Sequence, residues 1–274
     1  MNNFTKRTIT GAIYVIAVIV AIMFNPIILS TFFGIIALLA LYEFYKNIKI
    51  SNILPLNILG ILLAILIYIC FSLKAFQIEN KYFIIASLLL CFTIFIVEIY
   101  NNKENPFTNI SYTLLGIIYI VLPMGLTNFI VNPTLSSNIF IPILLLGIFI
   151  LAWCNDTFAY LVGVKFGKNR LFERISPKKS WEGFFGGFIA VQLASLLLYN
   201  LSNTPLQFFD WMIMGAIVSV VGTYGDLVES MFKRQIGVKD SGKILPGHGG
   251  ILDRFDILFI AIPFIFSYIF LRLN

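Results

Sequence analysis

Long apolar runs joined by short polar stretches make up most of this chain. The runs lack the apolar–polar alternation of half-buried strands, and a helix of roughly 20 apolar residues is what crosses the hydrocarbon of a bilayer. Runs of that kind predict spans near Ile9–Phe24, Ile28–Tyr45, Leu54–Ser72, Tyr82–Tyr100 and Ile110–Val131. Four more are predicted near Ile139–Val162, Trp181–Tyr199, Trp211–Met231 and Ile257–Leu271, nine in all. The short first pair also reads as a re-entrant hairpin. Outer-membrane barrels have shorter segments of alternating polarity, and none occurs here. The expected fold class is all-α, a polytopic integral membrane protein with a cytoplasmic N-terminus. No soluble domain, long linker or repeat divides it. Residues 1–135 are expected to form a scaffold of transmembrane helices, facing lipid and open to oligomer contacts. Residues 136–274 are expected to form a catalytic region with its polar site toward the cytoplasm.

Composition supports this solvent. The 274 residues are 59% hydrophobic, 16% aromatic and 12% charged, whereas soluble domains are about 45–50% apolar and about 25% charged. Cys70, Cys91 and Cys154 are odd in number and lie in apolar runs, so they read as packing residues rather than as disulfides or metal ligands. A single histidine excludes a multi-histidine metal cluster. Lys6 and Arg7 before the first run resemble a signal peptide, but no small-residue cleavage site follows Phe24, so an uncleaved helix is expected.

Charge tests the count of spans. Basic residues mark short cytoplasmic loops. With nine spans and the N-terminus inside, that side collects sixteen of the nineteen Lys and Arg residues, leaving Lys74, Lys81 and Arg272 outside. Orientation alone explains scattered residues such as Lys46, Lys49 and Lys103. It does not explain why the two last cytoplasmic loops hold eleven basic residues interleaved with acids and glycines. Nor is a nucleic-acid partner expected from a basic surface confined to membrane loops.

All six aspartates fall between 156 and 256, and five of them, all but Asp210, lie on or beside that face. Asp156 and Asp226 sit inside apolar helices, where a carboxylate needs a polar cavity or a partner. A buried ion pair with a loop lysine is one reading, and a functional site is the other. Asp226 and Glu229 share a helical face by their spacing, as do Asp253 and Asp256. Two such acid-bearing helix ends suit a divalent cation with hard oxygen ligands, such as Mg²⁺, and leave a second metal ion open. Glu43 and Glu98 read as interfacial side chains reaching toward water.

The stretch "KDSGKILPGHGGILDRFD", residues 239–256, holds four glycines, three aspartates and His248. Glycines let a ligand approach the main chain, and successive backbone N–H groups can cradle an anion. Lys233, Arg234, Lys239, Lys243 and Arg254 add the charge that a phosphate-bearing substrate requires. His248 reads equally as a loop-ordering group and as a phosphate contact. In "SPKKSWEGFFGG", Ser180 and Glu182 fit the cap and dipole of a helix as well as they fit a site. Lys178 and Lys179 oppose that dipole, which points to an anion held there. "GVKFGKN" is not a Walker loop, because its glycines are too close and no Ser or Thr follows Lys168.

These residues carry a resemblance. "SMFKRQIGVKDSGKILPGHGGILDRFD", from Ser230 to Asp256, resembles the signature of the phosphatidate cytidylyltransferases, also called CDP-diacylglycerol synthases. "SPKKSWEGFFGG" and "NDTFAYLVGVKFGK" resemble that family's middle motifs, and the specific likeness covers about residues 150–257. Phe158, Val164 and Ile257 depart from the pattern, where the family commonly has a glycine, an arginine and a hydroxyl residue. The resemblance implies that CTP and phosphatidate give CDP-diacylglycerol and pyrophosphate with Mg²⁺, in a multi-pass cell-membrane homodimer among membrane lipid. It implies that Asp226 and Asp253 hold metal, with Asp226, Asp253, Lys239, Arg254 and Asp256 catalytic. Asp156, Lys178, Lys179, Ser180, Ser230, Lys233 and Arg234 would contact substrate, as would Asp240, Ser241, Gly242, His248, Gly249 and Gly250. Buried acids also suit a transporter. The clustering of charge at one face, rather than at the midplane, favours the enzyme.

Overall fold

The computed structural model describes residues 3–133, 139–242, 244 and 249–273. Helices dominate: α1 (Asn3–Phe24), α2 (Pro26–Ile48), α3 (Asn57–Ala75) and α4 (Lys81–Tyr100) are followed by α5 (Pro106–Gly116), a π-helical turn (Ile117–Val121) and α6 (Leu122–Val131). Then come α7 (Pro142–Phe166), a small hairpin of β1 (Arg170–Phe172) and β2 (Ser176–Ser180), α8 (Trp181–Leu201), α9 (Phe208–Gln235) and α10 (Leu252–Leu273). Each expected span has its counterpart. Among the described residues, eight helical segments are long and apolar enough to cross a bilayer, and Thr8–Phe24 is a shorter apolar helix.

Local chemistry sets the joints. Asn25 alone separates α1 from α2, and its side chain caps α2 by accepting from the Ile28 amide at 2.8 Å, with Pro26 in the first turn. The π turn precedes Pro123, which has no N–H and crowds the carbonyl four residues back, so the α5–α6 span widens instead of breaking. Gln207 and Asp210 form a capping box at the start of α9. Asp210 also accepts from the Tyr268 hydroxyl at 2.6 Å and from Arg272 at 3.0 Å, which ties the start of α9 to the end of α10.

Small residues bring helices together where apolar surface cannot drive association, since lipid is as apolar as the helices themselves. A Cβ on Gly186 would meet Val162 at 2.6 Å, and one on Gly183 would meet the Ala159 carbonyl at 2.7 Å, so α8 packs directly on α7. A Cβ on Gly225 would stand 2.6 Å from the Asp256 carbonyl, so α9 closes equally tightly on α10. One continuous buried core runs from Val18 to Ile269. Outward, α4 presents Phe83, Leu88, Leu89, Phe92 and Ile96, a surface suited to hydrocarbon.

Candidate active site

Where α7 and α9 end and α10 begins, a cavity of about 610 Å³ opens between these helices, α8 and the hairpin. Asn155 and Asp156 reach it from α7, Thr223 and Asp226 from α9, and Asp253 and Asp256 from α10. The hairpin segment contributes Arg170, Lys178, Lys179 and Ser180. Asp226 and Asp156 both act electrostatically on Asp256, a repulsion that hydrocarbon would magnify. Lys179 answers part of it through an ion pair with Asp226. Ser230, one turn further along α9, donates to Asp226 Oδ1 at 3.2 Å. The loop-lysine pair foreseen from sequence is therefore real, and it lies on the cavity wall.

The hairpin is placed by the start of α8. Ser180 Oγ accepts from the Gly183 amide at 3.1 Å, which caps the helix. Glu182, in its first turn, accepts from the Lys168 amide at 3.1 Å and from Asn169 Nδ2 at 2.8 Å. The Trp181 amide donates to the Asn169 carbonyl at 3.0 Å. These bonds anchor the base of the hairpin and hold Lys178 and Lys179 over the cavity. The capping expected for Ser180 and Glu182 is present, and Ser180 also lines the site.

Asp253 has a different environment. Its Oδ2 accepts from the Gly250 amide at 2.7 Å, the Ser241 hydroxyl at 2.9 Å and the Ser241 amide at 3.0 Å. Its Oδ1 takes Lys233 Nζ at 2.8 Å. A carboxylate offers about four lone-pair sites, and here they are filled. Lys233 in turn pairs with Glu229, 2.5 Å away and 1% exposed. Asp253 thus gathers the two ends of the 241–250 loop and the end of α9 into one network. Gly249 sits at φ +84°, a left-handed conformation that favours glycine.

Of the residues expected at a site, Asp156, Lys178, Lys179, Ser180, Asp226, Asp253 and Asp256 line the cavity. Ser230, Lys233 and Ser241 stand behind it and hold its carboxylates. Gly242 and Gly250 pack against Glu43. Arg234, Lys239 and Asp240 are exposed and outside the cavity lining, as is Arg254, which interacts electrostatically with Asp156. His248 and Lys243 lie outside the described residues. Glu43 and Glu98 depart from the expectation: both are 3% exposed. Glu98 accepts from Asn109 Nδ2 at 2.8 Å and Asn101 Nδ2 at 2.9 Å, which ties α4 to α5 instead of reaching water. Glu43 accepts from the Leu252 amide at 3.1 Å. Arg170, Asn155 and Thr223 are lining residues that sequence reasoning missed. Arg170 sits in the same basic loop as Lys178 and was legible there by its charge, whereas Asn155 and Thr223 carry no signal of their own.

The sequence profile of the cytidylyltransferase family matches residues 5–272, nearly the whole chain and all of the cavity. The chain belongs to the cytidylyltransferase family. Among its relatives, the phosphatidate cytidylyltransferase of Staphylococcus saprophyticus is 33% identical over 258 residues, covering 94% of this chain and 95% of that protein. The phosphatidate cytidylyltransferase of Staphylococcus aureus is 32% identical over 260 residues, with 94% and 95% covered. That of Haemophilus influenzae is 39% identical over 175 residues, 61% of this chain and 59% of the other. The likeness to cytidylyltransferases therefore extends well before residue 150, where the motif resemblance began. Among the described residues, no three His, Cys, Asp or Glu side chains form a ready metal cage. A cation in this cytidylyltransferase cavity would rest on fewer protein ligands, with phosphate oxygens and water beside them.

Proposed function

We propose that the chain makes CDP-diacylglycerol and pyrophosphate from CTP and phosphatidate, in the phospholipid biosynthesis of a bacterial plasma membrane. The shared cavity carries this reading: Arg170, Lys178 and Lys179 stand in one space with Asp156, Asp226 and Asp256, inside a bundle whose flanks are apolar. A phosphate oxygen of phosphatidate attacks the α-phosphorus of CTP. The new P–O bond forms as the bond from that phosphorus to the β-phosphate oxygen breaks, and pyrophosphate leaves with the electron pair. The attacking oxygen is already anionic, so no histidine base is required. Such chemistry rests on positioning and charge neutralisation.

Lys178, Lys179 and Arg170 would hold phosphate oxygens and offset the repulsion between two anionic substrates. Lys179 would exchange its present partner, Asp226, for phosphate. Arg234, Lys239 and Arg254, exposed nearby, would draw anions toward the mouth. The donor set fits Mg²⁺, because carboxylate oxygens from two helices plus phosphate and water are what that ion takes. Asp226 and Asp256 would hold it, and Asp253 would join by giving up one of its present donors. Mg²⁺, when bound, supplies further charge neutralisation at the triphosphate. The proposal includes a cytoplasmic cavity, supported by the one-sided distribution of Lys and Arg, and a homodimer, which the family resemblance implies.

The test is direct. Purified protein in detergent with phosphatidate and Mg²⁺ is given labelled CTP, and label in the lipid phase is followed alongside pyrophosphate release. We expect both to appear together and to stop in EDTA. Folded protein that yields no labelled lipid would overturn the proposal.

A further inference from the structure

The approach to α10 is held from outside the cavity, by α2. Glu43 is 3% exposed and does not line the cavity, yet its Oε2 accepts from the Leu252 amide at 3.1 Å, across 209 positions of sequence. Leu252 opens α10, where the first amides have no acceptor within their own helix. Asn47, four residues along and so on the same face of α2, donates from Nδ2 to the Ser241 carbonyl at 2.6 Å. Ser241 and Gly250 both bind the Asp253 carboxylate. Gly242 and Gly250 also leave room for Glu43. A Cβ on Gly242 would stand 2.7 Å from Glu43 Cδ, and one on Gly250 would stand 2.8 Å from Glu43 Oε1.

Packing does not call for a carboxylate here. The neighbouring buried positions of α2 are Ala40, Leu41, Phe44 and Tyr45, and burying an acid costs free energy unless it is hydrogen-bonded. We infer that Glu43 is a positioning residue of the active site, fixing the first turn of α10 and, beside it, Ser241, Gly242 and Gly250, so that Asp253 and Asp256 face the cavity. Its effect on rate rests on the transferase reading above; its effect on the loop does not. The N-terminal helices then do more than embed the enzyme, because one of them completes the frame of the site.

The experiment uses the full chain in lipid nanodiscs and follows two readouts: labelled lipid formed from CTP, and amide hydrogen exchange across residues 241–256. Glu43→Ala should lower kcat by about tenfold or more, as expected when a buried amide loses its acceptor. Exchange should rise in 241–256 and stay unchanged in α7. Glu43→Gln keeps an acceptor for Leu252 and should recover to within about threefold of wild type, the cost of a neutral hydrogen bond replacing a charged one. Gly242→Ala alone should mimic Glu43→Ala. Added to Glu43→Ala it should cost little more, because the space it needs has been vacated; residues in contact are non-additive in this way. The inference is overturned if Glu43→Gln is as damaging as Glu43→Ala, if the Gly242 and Glu43 effects simply add, or if exchange rises evenly through all helices. Wild-type protein that makes no labelled lipid would reject the transferase reading, and the exchange data would still decide the role of Glu43.

Discussion

Asp226 and Asp253 line one cavity, but their neighbours differ in kind. Asp226 meets a lysine from a hairpin and a serine one turn along its own helix, both able to move aside. Asp253 is built into the backbone of a loop. Asp226→Asn should therefore lower kcat by about 10²-fold or more, the scale of losing a group aimed at developing charge, with little change in melting temperature. Asp253→Asn should lower both, because the amide cannot accept the same set of donors. A third residue, Lys233, gives a stability test, although it also donates to Asp253. Lys233→Met would leave Glu229 buried without its cation, at a cost of about 3–5 kcal/mol. Thermal unfolding in detergent should show a clear fall for Lys233→Met and a smaller one for the double change with Glu229→Gln. An equal fall in both would mean that the loss comes from Asp253, which also loses its lysine, and not from Glu229.

Among the elements, α9 and α10 set the spacing of the acids, and Gly225 sets the spacing of those helices. Gly225→Ala would press a methyl against the Asp256 carbonyl, which backbone cannot avoid, and overpacking of this kind costs about 1–3 kcal/mol. Gly237, at φ +74° with open space around it, is the control: alanine there should cost about 1–2 kcal/mol of backbone strain and leave catalysis alone. Melting curves and initial rates on the two variants separate these effects. The helices themselves were legible in the sequence, because apolar length in a bilayer leaves few alternatives. The α9–α10 acids were legible too, since carboxylates in apolar runs demand explanation. The β-hairpin was not, because "SPKKS" becomes a strand only by pairing with residues 170–172. Nor was Glu43, whose partner lies 209 residues away and whose own surroundings look interfacial. Burial made by distant chain leaves no local trace.

At the scale of the whole molecule, the hairpin and the α3–α4 turn lie at opposite ends of the bundle if the charge asymmetry sets orientation. In a background without Cys70, Cys91 and Cys154, Glu173→Cys should resist a membrane-impermeant thiol reagent in intact cells and react once they are opened. Gln77→Cys should react in both; the reverse pattern would invert the topology. The far-side cluster of Asp210, Tyr268 and Arg272 then acquires a meaning beyond holding two helices together. Asp226 lies sixteen positions along α9 from Asp210, about 24 Å at 1.5 Å per residue. The hydrocarbon layer is about 30 Å thick. A cluster moored at the headgroups of one leaflet would leave the acids a few ångströms beneath those of the other, at the level of a lipid phosphate drawn slightly downward. Membrane thickness should then enter the rate. Vesicles of longer-chain lipid should sink the cavity and slow capture of the nucleotide, while thinner ones should lift it toward water, making this enzyme a gauge of the bilayer it helps to build.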